Sequence, residues 1–264
     1  MGVKTKLTLK ELNLLFSSYK FTKITPTSSG IIDTTYLVYT QKNSYILKKY
    51  ERDIEDKIKQ DTMLLKYLKS KKLNVSTCRE SAKGWYLYEK LDGLEPRVIK
   101  TFHIQELARF LAKFHNLTYC KNTPQGFSQK QEIAKALKFA KKHYFYYYKK
   151  LEFLKSYKSK NDGLIHGDIF KDNTVFNGTK LGVFDFIDSF NGDFCFDAAV
   201  CLLGFDVNKH KKYFFNLFLN TYNQNAVKKL KKQDLQNSLH VARCFYVAKR
   251  IYNYKNTLKA KELL

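Results

Sequence analysis

One stretch of this 264-residue chain restricts its options more than any other. The apolar pair Leu164-Ile165 runs into a polar loop, His166-Gly167-Asp168-Ile169-Phe170-Lys171-Asp172-Asn173. A turn at Asn177-Gly178 follows, and a second apolar run, Val183-Phe184, ends in Asp185. Asn-Gly between two apolar strands is a hairpin signal. The hairpin brings Asn173 and Asp185 together, with Asp168 five residues before the amide. Phosphoryl transfer asks for such a set. One carboxylate orients the acceptor hydroxyl and takes its proton, while an amide and a second carboxylate hold Mg²⁺ on the phosphates. A polar turn with incidental acids would not need an apolar strand on each side.

Composition is consistent with a folded enzyme. The chain is 44% hydrophobic and 16% aromatic, which a disordered polymer is not. Forty-eight Lys+Arg against 24 Asp+Glu give a charge of +24. Such a charge invites anions: ATP, nucleic acid or an anionic membrane surface. The excess is mostly lysine and is spread along the whole chain, whereas nucleic-acid binders concentrate it on one stripe. The run Tyr144-Phe145-Tyr146-Tyr147-Tyr148, flanked by lysines, imitates a stacking surface. On a helix five consecutive rings point all round, so some belong to a core. No specific nucleic-acid partner is therefore expected. Cys78, Cys120, Cys195, Cys201 and Cys244 form no CxxC pair and are odd in number, which fits a reducing cytoplasm. No run of about 18 apolar residues suggests a membrane span, and the first residues show no secretory leader.

Thr8 and Glu11 have capping-box spacing ahead of a helix over 9–19. Phe21–Thr27, Ile32–Thr40 and Tyr45–Tyr50 read as a three-stranded meander, 53–70 as a charged helix, and Val75–Glu80 with Trp85–Leu91 as a hairpin. After Leu91 the pattern turns helical, over 99–118, in one long stretch over 129–158, and from Phe194 to the end. A boundary is expected near Leu91, between a β-rich part over 1–91 and a mostly helical part over 92–264.

The 164–186 segment resembles the catalytic core of the aminoglycoside phosphotransferase and choline kinase superfamily. That resemblance implies an α+β, bilobal protein-kinase-like fold with a small β-rich N-lobe, a larger helical C-lobe and ATP between the two. It makes Asp168 the catalytic base and Asn173 and Asp185 the Mg²⁺ ligands. His166 then orients the loop, and Asp197, in Phe196-Asp197-Ala198-Ala199, braces it. Lys48, directly after Leu47 in a strand, matches the lysine that pairs with the α- and β-phosphates. An acid on the next helix should face it. Asp61 stands where Glu is usual, with Leu65 and Leu68 following at the family's spacing, and Glu55 is the alternative. Ser29 and Gly30 fall in the loop over the phosphates, and the main chain of Glu89 and Leu91 in the hinge that meets adenine. No GxxxxGK[ST] sequence occurs.

Over most of its length the chain resembles bacterial homoserine kinases of this fold. The likeness rests on Gly30–Tyr36, Tyr50-Glu51-Arg52, Leu111–His115, Asp168–Asn173 and Asn191-Gly192. It departs at Ile32–Thr35, where that family usually carries Glu-Asn-x-Asn. The implied acceptor is a small molecule, an amino acid or amino alcohol, with homoserine first. Choline, ethanolamine, an amino sugar or an aminoglycoside share most of the pattern. A zwitterionic acceptor needs an acid for its ammonium, and Asp188, Asp193 and Asp206 are candidates. The working enzyme would be a monomer or homodimer with no membrane partner.

Overall fold

The computed structural model describes residues 3–27, 32–120, 129–207 and 211–254. They form two compact units, residues 1–93 with 182–187, and 94–181 with 188–264. Among the described residues no helix is long and apolar enough to cross a membrane, and all five cysteines are free thiols.

The first unit opens with α1 (Leu9–Leu15). Its predicted cap is present: the Glu11 amide donates to the Thr8 hydroxyl at 3.3 Å, and the Thr8 amide to the Glu11 carboxylate at 2.8 Å. Each bond satisfies a donor that a helix start leaves open. Then come β1 (Phe21–Pro26), β2 (Thr34–Thr40), β3 (Ser44–Lys49), α2 (Glu55–Ser70), β4 (Cys78–Ala82) and β5 (Trp85–Glu89). The five strands make one antiparallel sheet in the order β1-β2-β3-β5-β4. Leu12 and Phe16 close over Tyr36, Val38, Leu47, Trp85 and Leu87 to form its core. Side chains alternate along a strand, so Leu47 enters this core while Lys48 faces the opposite side. Glu51 and Arg52, just past β3, hold the start of β2. Thr34 donates to the Glu51 carboxylate at 2.6 Å, and the Arg52 guanidinium pairs with Asp33 at 2.9 Å. The residues that depart from the homoserine-kinase pattern thus carry a latch within this sheet.

The second unit contains α3 (Thr101–Thr118), α4 (Gln129–His143), α5 (Phe145–Leu151), β6 (Gly163–Ile165), β7 (Thr174–Asn177), β8 (Lys180–Val183, whose end passes into the first unit), β9 (Phe190–Gly192), α6 (Phe194–Gly204), α7 (Lys212–Asn225) and α8 (Lys232–Tyr254). The single helix expected over 129–158 is broken at Tyr144 and ends in a 3₁₀ turn over Glu152–Ser156. Tyr148 and Leu151 are buried while Phe145 and Tyr146 are exposed. The five rings therefore do not form one stacking face. The strand β9, not anticipated, pairs antiparallel with β6, Leu164 opposite Asn191. Its pairing sets the strand that feeds the Asp168 loop.

Candidate active site

In the first unit the side chain of Lys48 meets that of Asp185, Nζ to Oδ1 at 2.9 Å, across 137 residues of sequence. Asp185 reaches this position on a short segment whose entry is tied down twice. The Val183 amide donates to the Asn74 carbonyl at 3.0 Å, and Val183 bridges Val75 in parallel. Asp185 itself has φ +69°, in the left-handed region. A non-glycine residue there costs of order 1 kcal/mol and persists where the surroundings require it. Burial works against the charge on Lys48, but the charges of Asp185, Asp61 and Asp33 outweigh it and hold its pKa above the ordinary 10.5. Asp61 is buried on α2 beside Ile58, Leu65 and Leu68. Glu55 lies in the exposed first turn of α2 and pairs with Lys59 at 3.1 Å. The charge of Asp61 acts on Lys48.

Glu89 ends β5, and its main chain is largely engaged. Its amide donates to the Thr77 carbonyl at 3.0 Å, and its carbonyl accepts from the Ser76 hydroxyl at 2.6 Å. A carbonyl oxygen can accept a second hydrogen bond. The Glu89 side chain joins Lys69 and Arg79, the latter at 2.6 Å. Burial opposes ionisation of Glu89, yet these cations keep its pKa below the usual 4.5. Leu91 follows β5, while Ser29 and Gly30 lie outside the described residues.

In the second unit the Asp168 loop is braced from beneath. Asp197, fully buried on α6, accepts from the His166 amide at 3.0 Å, the Gly167 amide at 2.7 Å and His115 Nε2 at 3.0 Å. His115, on α3, lies flat on Phe194, ring centroids 3.8 Å apart, and its Nδ1 is 2.7 Å from the Tyr222 hydroxyl. With Nε2–H given to Asp197, Nδ1 is the acceptor for the tyrosine proton. Burial lowers the pKa of His115 below 6.5, and the Asp197 contact only partly offsets it. Burial alone would raise Asp197, but the bonds from His115 and Gly167 bring it below 3.8. The buried pair is neutral histidine and ionised aspartate. His166 is itself buried, and its Nδ1 accepts the Asp168 amide at 3.2 Å, a bond that shapes the loop. Gly167 has φ +71°, and a Cβ there would sit 2.6 Å from the Phe190 ring, so only glycine fits.

Asn173 closes the loop. Its Nδ2 donates to the Asp168 carbonyl at 2.8 Å and to Asp168 Oδ2 at 3.2 Å. With the nitrogen so occupied, its amide oxygen is the atom left for a cation. The three acids considered for the acceptor differ in circumstance. Asp193 is buried and caps α6 through the Cys195 amide at 2.8 Å. Burial pushes its pKa up, against the pull of that bond. Asp188 lies between the Asp185 segment and β9. Asp206 is exposed, has φ +55° just past α6, and pairs with Lys171 of the loop. Gly204 packs so closely on the loop that a Cβ would lie 2.7 Å from the Ile169 carbonyl. That approach holds Asp206 against Lys171. Sequence reading missed Tyr246, whose hydroxyl contacts Asp168, because a lone tyrosine in a long helix looks like core.

A model of the APH phosphotransferase enzyme family matches residues 23–214, and the chain belongs to that family. It is an ATP-dependent phosphotransferase with an alcohol group as acceptor, and its fold is the α+β, bilobal protein-kinase-like one, with a small β-rich and a larger helical lobe. A homoserine kinase of Rhizobium meliloti (strain 1021) is 25% identical, with 81% of this chain and 73% of that protein covered. Choline kinase from Streptococcus pneumoniae superposes with a TM-score of 0.67 at 15% identity, covering 93% of this chain and 90% of that one. An amicoumacin kinase solved with AMP-PNP and Ca²⁺ gives 0.69 at 19% identity, covering 97% and 89%. These two likenesses concern the fold.

Proposed function

We propose that the chain transfers the γ-phosphate of Mg-ATP to the side-chain hydroxyl of homoserine, a step of threonine biosynthesis in the cytoplasm. In this reading residues 1–91 hold the nucleotide, and residues 92–264 supply the base and the acceptor site. Lys48, kept charged by Asp185 and supported by Asp61, neutralises the α- and β-phosphates. Main-chain groups of Glu89 and Leu91 meet adenine. Oxygen donors suit Mg²⁺: the Asp185 carboxylate of the first unit, and in the second the amide oxygen that Asn173 has left after giving its nitrogen to Asp168, are donors of that kind. Mg²⁺, when bound, neutralises charge on the phosphates. Asp168 accepts the proton of the acceptor hydroxyl as its oxygen bonds to the γ-phosphorus, and the β–γ bridging oxygen leaves with ADP.

The observation that carries the choice of acceptor is the Lys171–Asp206 pair beside the Asp168 loop. A zwitterionic amino acid needs one group of each charge. Asp206 suits the ammonium and Lys171 the carboxylate, whereas Asp193 is occupied as a helix cap. The curated homoserine kinase described above supports the same reading. The reaction needs no nucleic acid and no membrane.

The test is ADP release from Mg-ATP with homoserine, choline, ethanolamine, amino sugars, aminoglycosides and 1,4-butanediol at equal concentration. Butanediol offers no charge to Asp206 or Lys171, and hydrogen bonds to charged groups contribute about 1.5–3 kcal/mol each, so butanediol should be worse than homoserine by more than about tenfold. Asp206→Asn should raise KM for homoserine and leave KM for ATP unchanged. Turnover of choline or an aminoglycoside with homoserine inert would reject homoserine and leave the kinase assignment standing.

A further inference from the structure

The carboxylate of Asp168 is held from two directions. Asn173, on its own loop, donates to Oδ2 at 3.2 Å. The other oxygen, Oδ1, receives the phenol of Tyr246 at 2.6 Å, from α8 and 78 residues further on. Tyr246 is nearly buried at 5% exposure. Phe170 meets its ring edge-on with centroids 4.8 Å apart, Phe245 does so at 5.5 Å, and Lys249 Nζ lies 5.5 Å over its face. The same phenol oxygen is within hydrogen-bond reach of the Gly167 carbonyl. One O–H therefore faces two acceptors, and it can serve only one at a time.

We propose that Tyr246 is a positioning residue for Asp168, its phenol hydrogen fixing Oδ1 of the carboxylate in place of the nearby Gly167 carbonyl. The inference rests on the reading of Asp168 as the base. A bond to a carboxylate is about twice as strong as one between neutral groups, so Asp168 and not the Gly167 carbonyl holds the hydrogen. The bonds balance: the acceptor's O–H breaks and a carboxyl O–H forms, an O–P bond forms as the γ-phosphate leaves ADP, and the phenol O–H survives. Burial, the charge of Asp168 and the bond to it raise the Tyr246 phenol well above its usual 10, so it keeps its proton. Tyr246 exchanges nothing with substrate. It limits the rotation of a carboxylate that would otherwise be steered by its own loop alone, and such pre-alignment acts on turnover more than on binding.

The experiment compares full-length Tyr246→Phe, Asp168→Asn and the double variant, with Mg-ATP and homoserine, or choline if the acceptor screen selects choline. Tyr246→Phe keeps the ring and removes only the donor. Its kcat should fall roughly ten- to a hundredfold, the range for a hydrogen bond to a charged group. KM for ATP and for the acceptor should stay within about twofold. In the Asp168→Asn background Tyr246→Phe should lower kcat no further, because the partner charge is gone. If Tyr246→Phe fails to fold, 3-fluorotyrosine at 246 keeps the donor, and its ¹⁹F resonance should move on Asp168→Asn; an unmoved resonance would overturn the inference. So would a parental kcat in Tyr246→Phe, or an equal loss in both backgrounds. Full turnover by Asp168→Asn would remove the base and this inference together. Inactive Asp168→Asn with fully active Tyr246→Phe would remove the inference alone.

Discussion

The Lys48–Asp185 pair and the Asp168 loop are held by opposite means. The pair joins two partly exposed groups, 18% and 38% accessible, through one ion-pair contact and a backbone in the left-handed region. Attraction of that kind is weakened by water and salt. The loop rests on buried, directional bonds: three donors converge on Asp197, and Tyr222, His115 and Phe194 fix the orientation of the whole. A cation-binding carboxylate gains from remaining responsive to a charged ligand. A proton-accepting carboxylate gains from immobility, because misplacement costs rate. The difference between the two regions matches the difference between the tasks proposed for them.

The largest expected effect separates those tasks. Asp168→Asn should lower kcat by about 10²–10⁴ and spare nucleotide affinity, while Asp185→Ala should abolish Mg²⁺-dependent ADP binding in calorimetry. Equal loss of nucleotide binding in both would erase the distinction. Next, Asp197→Ala strands two amides and an imidazole in the interior, so denaturant unfolding should show a loss of about 3 kcal/mol. An unchanged midpoint would mean the loop is not braced as described. Lys48→Ala should then raise KM for ATP about ten- to a hundredfold, with melting temperature little changed. The smallest effect is on pH. Folded His115 binds a proton less readily than an unfolded histidine, whose ordinary value is 6.5. As pH falls through 6.5 the unfolded chain takes up that proton first, and stability drops by at most about 1.4 kcal/mol per pH unit. His115→Gln should flatten the curve between pH 7 and 5; an unaltered slope would place the titrating group elsewhere.

The parts legible in the sequence are those with local causes. The Thr8–Glu11 cap, the meander, the Asn177-Gly178 turn and the Asp168–Asn173 spacing each follow from residues within a few positions of one another. The missing parts depend on distant partners. A three-residue strand such as β9 has no periodicity of its own and exists because β6 is there to pair with it. Tyr246 differs from the other buried tyrosines only by what lies opposite its hydroxyl. The break at Tyr144 leaves no trace in the periodicity, because Ile133, Leu137, Ala140, Tyr148 and Leu151 keep the spacing of one continuous helix face. On α2, Asp61 sits buried beside Ile58, Leu65 and Leu68, a position that the family's spacing and not the helix periodicity singled out.

The first unit is closed by a strip of chain, 182–187, that belongs to it in space but not in sequence. Translation delivers residues 1–93 first and the strip only after most of α3 through β8 has been made. A ribosome halfway through this message therefore carries a sheet whose Lys48 has no Asp185 and whose Asn74 and Val75 have no Val183. Cutting the gene after the first unit would yield the same unfinished object. The Lys48–Asp185 pair is thus an acquired property of the nascent chain, dated to the moment Asp185 clears the exit tunnel, and a truncated product would lack the nucleotide contact proposed for it.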